Sequence, residues 1–260
     1  MMEHKIKRAI VMISIGDRPW ADASFATFQR YAKKFDADAH LLKEDVPLSE
    51  FDLGEFRKTK SRPNKRAYAL KSYIPWKFMA EGYDKVVLVD DSCSVHPYAT
   101  SIFEEVPEGH IGYTRTNAIH AQISFDMIAD FQSSNGEELI ELNPKHYANS
   151  GVVVYDRKFM DAFDPKLIFE AKELLYNRYP HQTLLYYLVK KSKVPVKMIP
   201  KKFNSMPGIH LEKPVRATLD SIEGLLDLEK TFISHYPGSY KKREILIQKT
   251  SLEFLRMWDQ

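Results

Sequence analysis

The 260-residue sequence predicts an α/β fold with a mostly parallel central sheet flanked by helices. Three observations favour it. A β-branched and aliphatic run at 9–15 is followed by a helical pattern at 21–35 and a second strand at 39–42, which together open a βαβ unit. A second run at 85–89 suits a strand buried on both faces, and so does a third at 151–155.

The elements of the first half follow from spacing and turn residues. Helix 21–35 is predicted because its apolar residues recur at helical intervals; they are Phe25, Phe28, Tyr31 and Ala32. The segment 44–63 is polar and irregular, which indicates a loop. A second helix is predicted over 64–81, and Gly82 then leads into the strand that ends at Asp90.

The second half predicts shorter elements, and 118–142 mixes helical and loop signals without a clear assignment. The predicted elements are strands at 111–113, 194–199 and 232–235, and helices at 165–176, 181–190 and 243–258. Pro195 suits an edge strand, since proline cannot donate to a ladder. No repeat, low-complexity segment or linker is evident, so one domain is expected.

The composition excludes several classes of protein. Apolar residues make up 44% and charged residues 28%, and a net charge of +3 does not indicate a nucleic-acid binder. Cys93 is the only cysteine, which rules out an intrachain disulfide and fits a reducing compartment. No apolar run approaches the roughly 20 residues that span a bilayer, and the N-terminus lacks the apolar core of a signal peptide. We therefore expect a cytoplasmic protein.

Two adjacent carboxylates, Asp90 and Asp91, end the buried strand. In open α/β sheets, ligands bind at the carboxyl edge of the strands. Paired carboxylates at that edge favour a hard divalent cation, which in turn holds phosphate. The alternative is a turn in which the Asp side chains cap backbone groups. Both interpretations stay open on this motif alone.

Two further clusters combine small polar residues with amides. Asn149, Ser150 and Gly151 precede the strand at 151–155, where polar side chains suit sugar hydroxyls and glycine permits close backbone approach. Their alternative is an ordinary turn. His181 and Gln182 begin a helix, where Gln182 can donate to and accept from a polar substrate. Their alternative is a cap and a surface amide.

The last cluster follows the strand at 232–235. His235 stands before a Pro-Gly turn and three cations, the first of which is Lys241. A neutral imidazole can complete a metal shell, and a lysine there can neutralise a diphosphate leaving group. The alternative is a structural histidine followed by a solvated basic turn.

In this order, the clusters resemble the glycogenin and lipopolysaccharide galactosyltransferase family, retaining nucleotide-sugar transferases of the Rossmann-like GT-A fold. The matches are the DxD strand end at 87–92, the Asn-Ser-Gly strand at 149–154, the Asp-Gln helix start at 181–182, and a closing His-x-x-Gly-x-x-Lys at His235, Gly238 and Lys241. The resemblance spans most of the chain, from Ile10 to Lys241.

The resemblance implies a single GT-A domain over 1–260, with a nucleotide-binding part at about 1–115, an acceptor-side part at about 116–242 and a C-terminal helix at about 243–260. It implies transfer of a sugar from a nucleoside diphosphate donor, most simply UDP-linked, to an acceptor hydroxyl with retention of configuration. Mn²⁺ or Mg²⁺ is the implied cofactor. The acceptor is a glycan, a lipid-linked glycan or a protein, in glycan or polysaccharide synthesis.

The family's functional residues carry over by position. The implied catalytic residues are Gln182, Asn149 and Lys241, and the implied metal ligands are Asp90, Ser92 and His235, with Asp91 as an alternate. The implied donor-binding residues are Ser14, Ile15, Gly16, Asp17, Lys71, Asp90, Asp91, Ser150, Gly151, His181, Gly238 and Lys241. Two positions depart from the family: Ser92 replaces its second metal-binding Asp, and His181 replaces an Asp near the acceptor.

Two other functions remain open at this point. A sugar nucleotidyltransferase also uses strand-end carboxylates, but it normally has a glycine-rich basic loop after the first strand, and 14–18 holds one glycine. A catalytically degenerate protein that only binds a sugar nucleotide fits the two departures. The basic segments 57–66 and 241–243 suit solvated loops or a peripheral contact with an anionic membrane or glycan.

Overall fold

A computed structural model describes residues 5–43, 65–116, 118–206, 231–237 and 243–260. The strands are β1 Arg8–Ile13, β2 Asp38–Leu42, β3 Lys85–Asp90, β4 Cys93–Val95, β5 Ile111–Arg115, β6 Ala148–Asp156, β7 Val196–Met198 and β8 Ile233–His235. The α-helices are α1 Ala21–Lys34, α2 Lys65–Ala80, α3 Ile102–Glu105, α4 Ala118–Ser134, α5 Pro165–Glu170, α6 Pro180–Lys191 and α7 Arg243–Trp258. Short 3₁₀ helices cover Pro144–His146, Arg157–Phe163, Lys172–Tyr176 and Lys201–Asn204.

Six strands form the central sheet in the order β2-β1-β3-β6-β5-β7. β1 runs parallel to β2 and β3, β5 runs parallel to β7, and β6 is antiparallel to both of its neighbours. The predicted mostly parallel sheet is therefore confirmed, and β7, which follows Pro195, lies at its edge as predicted. Ile13 pairs with Asp90, so β1 and β3 end side by side.

Both faces of this sheet are covered by helices. Because side chains alternate along each strand, neighbouring residues pack into two different cores. Ala9 and Val11 belong to the core beneath α2, α4 and α6, whereas Ile10 and Met12 belong to the core beneath α1 and α3. This explains why the strands read as continuous apolar runs. The polar side chains at the end of β3 and at the start of β6 carry much of the candidate chemistry.

A second, two-stranded sheet brings a distant residue to the end of β3. Its strands β4 and β8 are antiparallel, and Cys93 pairs with His235. The backbone N–H of Tyr236 donates to the carbonyl of Ser92 over 3.1 Å. The sequence predicted β8 but not β4, which is only three residues long and lies close behind the Asp pair.

Two helical predictions need correction or completion. The predicted helix at 165–176 is α5 followed by a 3₁₀ helix, because Ala171 leaves helical geometry and the tighter turn lets Leu174 and Leu175 both face the core. The unassigned segment 118–142 contains α4. The predicted C-terminal helix is confirmed as α7, which packs beside β4 through Ser251 and Ser94, whose hydroxyls lie 2.7 Å apart.

No helix among the described residues is long and apolar enough to cross a lipid bilayer.

Candidate active site

The Asp90 carboxylate stands at the carboxyl end of β3, between side chains from two other elements. Lys71 Nζ on α2 donates to Asp90 Oδ1 over 2.6 Å. His235 Nε2 at the end of β8 lies 3.5 Å from Asp90 Oδ2. Lys71 and Asp90 are largely buried, with side chains 16% and 21% exposed, so their charges are only weakly screened. Helix α2, strand β3 and strand β8 thus converge on one carboxylate.

The ion pair keeps both of its members charged. Burial by itself would raise the pKa of Asp90, but the Lys71 ammonium and His235 together outweigh burial and hold that pKa well below its ordinary value. Burial likewise opposes charge on Lys71, and the attraction of Asp90 raises its pKa above the ordinary value. The site therefore presents a full carboxylate and a full ammonium at neutral pH.

Asp91 turns toward the β1 loop instead. Ser14 Oγ donates to Asp91 Oδ2 over 3.1 Å, and Arg18 Nε lies 3.4 Å from the same oxygen. Burial, reinforced by the neighbouring Asp90 charge, raises the pKa of Asp91 above its ordinary value. Gly16 turns the loop with a φ of +92°, a conformation that favours glycine. The adjacent carboxylates therefore have different neighbours and different proton affinities.

A network of side-chain hydrogen bonds lies behind His235. Its Nδ1 is 2.9 Å from Asn204 Oδ1. Asn204 Nδ2 donates to Thr114 Oγ1 and to Asn149 Oδ1, each over 2.9 Å. Asn149 Oδ1 also accepts the backbone N–H of Gly151 over 3.0 Å. Asn149, Asn204 and His235 are each at least 94% buried, so these bonds form away from bulk solvent.

Gly151 makes room for the His235 ring. A Cβ atom added at this position would lie 2.2 Å from His235 Cε1 and 2.4 Å from Nδ1. Such distances are far inside van der Waals contact, so a larger residue would displace the imidazole. The sequence predicted that Gly151 allows close approach of a sugar; in the structure the imidazole of His235 lies against its Cα.

His181 and Gln182, in the first turn of α6, contribute polar atoms without partners. His181 is 2% exposed, and within the described part of the chain neither of its ring nitrogens has a hydrogen-bond partner. Gln182 Nε2 is also buried without one, while the same side chain contacts the Tyr147 hydroxyl. Burial, with Lys71 nearby, lowers the pKa of His181 to about 3, so its ring is neutral at pH 7.

The donor set around Asp90 fits a divalent cation. His235 Nε2 is buried and has no hydrogen-bond partner in the described residues, and it faces a carboxylate oxygen. Carboxylate oxygen and imidazole nitrogen are both ligands for Mn²⁺. The described residues contain no cluster of three or more His, Cys, Asp or Glu side chains around a metal position, so this chain supplies a sparse set of ligands. Diphosphate oxygens would have to complete the shell.

The other predicted residues are distributed as follows. Ser92 is buried, Ser150 is half-buried, Ile15 packs against the core, and Gly16 and Asp17 are exposed at the end of β1. Gly238 and Lys241 lie outside the described residues, as do the segment 44–63 and Lys242; of the basic stretch 241–243, Arg243 is described and begins α7.

Sequence reasoning missed Asn204 and Thr114. Asn204 ends a short 3₁₀ helix and Thr114 follows a bulge in β5, and neither stands in a recognisable motif. Arg18 lies in the loop 14–18 that the resemblance assigned to the nucleoside, but its contact with Asp91 was not predicted.

No protein-family model and no curated protein matches this chain. Solved structures do match in three dimensions. WbbM, a bifunctional glycosyltransferase, is 15% identical with a TM-score of 0.57, and the match covers 98% of this chain. This chain spans about half of that protein, 52% of its length. A glycosyltransferase involved in glycosylation of the major capsid of PBCV-1 is 11% identical with a TM-score of 0.56, covering 93% of this chain and 99% of the other.

The galactosyltransferase LgtC, in complex with donor and acceptor sugar analogues, is 15% identical with a TM-score of 0.52, covering 96% of this chain and 95% of the other. An active-site mutant of LgtC, in which a glutamine is replaced by glutamate, is 14% identical with a TM-score of 0.56 over the same shares. At these identities the matches show the fold. The chain has the GT-A-type architecture that these glycosyltransferases share, as the sequence predicted.

Proposed function

We propose that this chain is a metal-dependent glycosyltransferase. It would move a sugar from a nucleoside diphosphate donor, UDP-linked, to an acceptor hydroxyl with retention of configuration. The observation that carries the proposal is the pairing of Asp90 with His235 at the carboxyl edge of a glycosyltransferase-type sheet. Carboxylate and imidazole come from strands far apart in sequence, and the fold joins them where ligands bind in such sheets.

Asp90 and His235 would hold Mn²⁺ or Mg²⁺. Ser92 is the proposed third ligand; Asp91 is the alternate, although Ser14 and Arg18 now engage its carboxylate. When bound, the cation would supply positive charge that stabilises the departing diphosphate. Removing one such electrostatic contact typically costs on the order of 10² to 10³ in rate.

The chain's own residues supply the rest of the proposed chemistry. The buried ammonium of Lys71 would lie beside the donor phosphates, and Lys241 would neutralise the leaving group. The loop 14–17 would cradle the nucleoside, with Gly16 allowing the turn. Ser150, Gly151 and Gly238 belong to the proposed donor site.

The sugar would lie between α6 and Asn149. Gln182 would support the reacting carbon through its amide, whose Nε2 is buried without a partner among the described residues. The active-site glutamine named for the LgtC mutant supports this role. His181, neutral at pH 7, offers one donor and one acceptor, which suits a sugar hydroxyl.

The acceptor would be a glycan, a lipid-linked glycan or a protein, and LgtC with its bound acceptor analogue supports the first of these. Binding of UDP and UDP-sugars with Mn²⁺ in a thermal-shift screen, followed by incubation with labelled donors, tests the function. We expect stabilisation by UDP with Mn²⁺ and release of UDP from one sugar donor.

The same assay separates the alternatives. Turnover of nucleoside triphosphate with sugar phosphate would identify a nucleotidyltransferase, and UDP binding without hydrolysis or transfer would identify a degenerate binding protein. NMR of the product anomer tests retention, and an inverted product would exclude a retaining enzyme. Co-sedimentation with anionic vesicles at two salt concentrations tests peripheral membrane contact.

A further inference from the structure

We propose that Asn204 is a positioning residue that fixes the tautomer and the orientation of His235, so that an unprotonated Nε2 faces Asp90. The proposal rests on the proposed function only in assigning a cation to His235. The geometry comes from a chain of hydrogen bonds that starts at a backbone group. Each step leaves one choice of donor and acceptor.

The chain of bonds begins at Gly151, whose backbone N–H can only donate. It donates to Asn149 over 3.0 Å, which identifies the receiving atom of Asn149 as its amide oxygen. The orientation of an asparagine amide is an assignment made from its hydrogen bonds. Here it follows from a group whose role cannot change.

The second step fixes Asn204. The atom of Asn204 that lies 2.9 Å from the Asn149 oxygen must donate, so it is Nδ2, and the same nitrogen donates to Thr114. The remaining atom, Oδ1, therefore faces His235 Nδ1 over 2.9 Å. A carbonyl oxygen can only accept, so Nδ1 carries the proton and the neutral ring has its lone pair on Nε2.

Packing holds the ring in this direction. Gly151 lets the imidazole lie against its Cα, with no room for a Cβ. The backbone N–H of His235 donates to the carbonyl of Ser205, directly after Asn204, over 2.7 Å. The same short segment thus fixes the backbone of His235 through Ser205 and its side chain through Asn204.

The consequence is a pair of acceptors that converge. In the neutral ring with its proton on Nδ1, the Nε2 lone pair faces Asp90 Oδ2 at 3.5 Å, and a cation shared by these two acceptors would stabilise the arrangement. A metal-bound histidine commonly donates its other ring N–H to a fixed acceptor, which sets ring direction and ligand basicity. Asn204 is that acceptor. Asn149 and Gly151, which belong to the proposed donor site, therefore also help to orient His235, the proposed metal ligand.

The first test reads the tautomer directly in the metal-free protein. Long-range ¹H–¹⁵N correlation at alkaline pH distinguishes protonated from unprotonated ring nitrogens, and His235→Gln identifies the His235 signals. We expect a protonated Nδ1 and an unprotonated Nε2 in the wild type. A wild-type ring protonated on Nε2 would overturn the proposal, whatever the variants do.

The second test uses variants. In Asn204→Ala we expect mixed tautomers and an affinity for Mn²⁺ with saturating UDP, measured by electron paramagnetic resonance, about 10 to 100 times weaker. Asn204→Asp keeps an acceptor for Nδ1 and should restore the Nδ1–H tautomer. Thr114→Val removes the Thr114 hydroxyl, one of the two acceptors of Asn204 Nδ2, and leaves the contact with His235 in place. It serves as the matched control, with the wild-type tautomer expected.

These readouts distinguish the two proposals. An unchanged tautomer and unchanged Mn²⁺ affinity in a folded Asn204→Ala would refute the role of Asn204. Wild-type protein that binds no Mn²⁺ with any nucleoside diphosphate, yet shows the Nδ1–H tautomer, would refute the proposed metal function and leave the positioning of His235 standing. Thermal denaturation of each variant separates loss of folding from loss of positioning.

Discussion

Two polar clusters lie near Asp90 and Lys71, and they differ in how many of their buried polar atoms have hydrogen-bond partners within the protein. Behind His235, the amides of Asn149 and Asn204 bond to each other and to their neighbours. In the first turn of α6, by contrast, both ring nitrogens of His181 and the Nε2 atom of Gln182 are buried and have no hydrogen-bond partner among the described residues. Asn149, Asn204, His235 and His181 are all buried, and the charges of Lys71 and Asp90 both act on the pKa of His181.

This difference indicates which cluster holds His235 in place and which cluster binds the substrate. A buried polar group without a partner costs about 1 to 3 kcal/mol, so a folded chain seldom leaves several together unless a ligand completes them. A satisfied network holds its members in one arrangement. We infer that the cluster behind His235 is the support and that the first turn of α6 faces the substrate. Three predictions test this division.

The largest effect is expected at Asp90. Asp90→Asn removes the charge that pairs with Lys71 and faces His235, and turnover should fall on the order of 10² to 10³. Asp91→Asn is the matched control, since it only weakens contacts to Ser14 and Arg18, and turnover should fall less than about tenfold. Release of UDP from the donor measures both. A greater loss in Asp91→Asn would make Asp91 the ligand.

The next effect concerns the space beside His235. Gly151→Ala should lower the free energy of unfolding by about 1 to 3 kcal/mol and weaken Mn²⁺ binding on the order of tenfold, because its Cβ collides with the imidazole.

Gly112→Ala provides the comparison for that variant, since its Cβ would lie 2.2 Å from Val106 Cγ2 in the apolar core. It should cost similar stability and leave the metal affinity unchanged. Urea denaturation and Mn²⁺ titration with UDP measure the two quantities. Equal metal affinities in both variants would show that Gly151 has no role at the site.

The smallest effect is a pH dependence of the free energy of unfolding that comes from His181 in the first turn of α6. The pKa of His181 falls from 6.5 to about 3 on folding, so between these values the unfolded chain binds a proton that the folded chain does not. The free energy of unfolding should therefore decrease as pH falls, by about 2 kcal/mol from pH 7 to pH 5 through His181. His181→Gln should remove that part, as urea denaturation at both pH values would measure.

His110→Gln, at a half-buried position beside Glu108, is the control and should keep the wild-type pH dependence. If His181→Gln keeps it as well, the His181 ring is solvated or already paired in the folded protein, and the contrast between the two clusters fails.

Local sequence was enough for the framework. Apolar runs with turn residues predicted β1, β3 and β6, and the helical intervals of Phe25, Phe28 and Tyr31 predicted α1. The break at Ala171 was not predicted, because a 3₁₀ turn leaves the same apolar spacing over a few residues as an α-helix. β4 was not predicted, because it directly follows the polar residues Asp90, Asp91 and Ser92 and has no apolar run of its own.

The candidate site divides in the same way. Asp90, Asn149, Gly151 and His235 were singled out from the sequence because each lies in a short ordered motif. Their hydrogen-bond partners, which fix the orientation of these side chains, were not singled out. Asn204 is 31 residues from His235 and 90 residues from Thr114 in the sequence. No local pattern marks a residue whose only signal is a hydrogen bond to a distant chain segment.

The sequence by itself determined most strands and helices, apart from β4, α3 and α4, and the polar residues that end them, because periodicity and turn chemistry are local properties of the chain. Only the tertiary structure decided that Asp91 faces Ser14 while Asp90 faces His235 and Lys71. It also decided which nitrogen of His235 is free, because a tautomer depends on the partner across the ring. The physical reason is the same in each case: direction is set by contacts between segments that only the folded chain brings together.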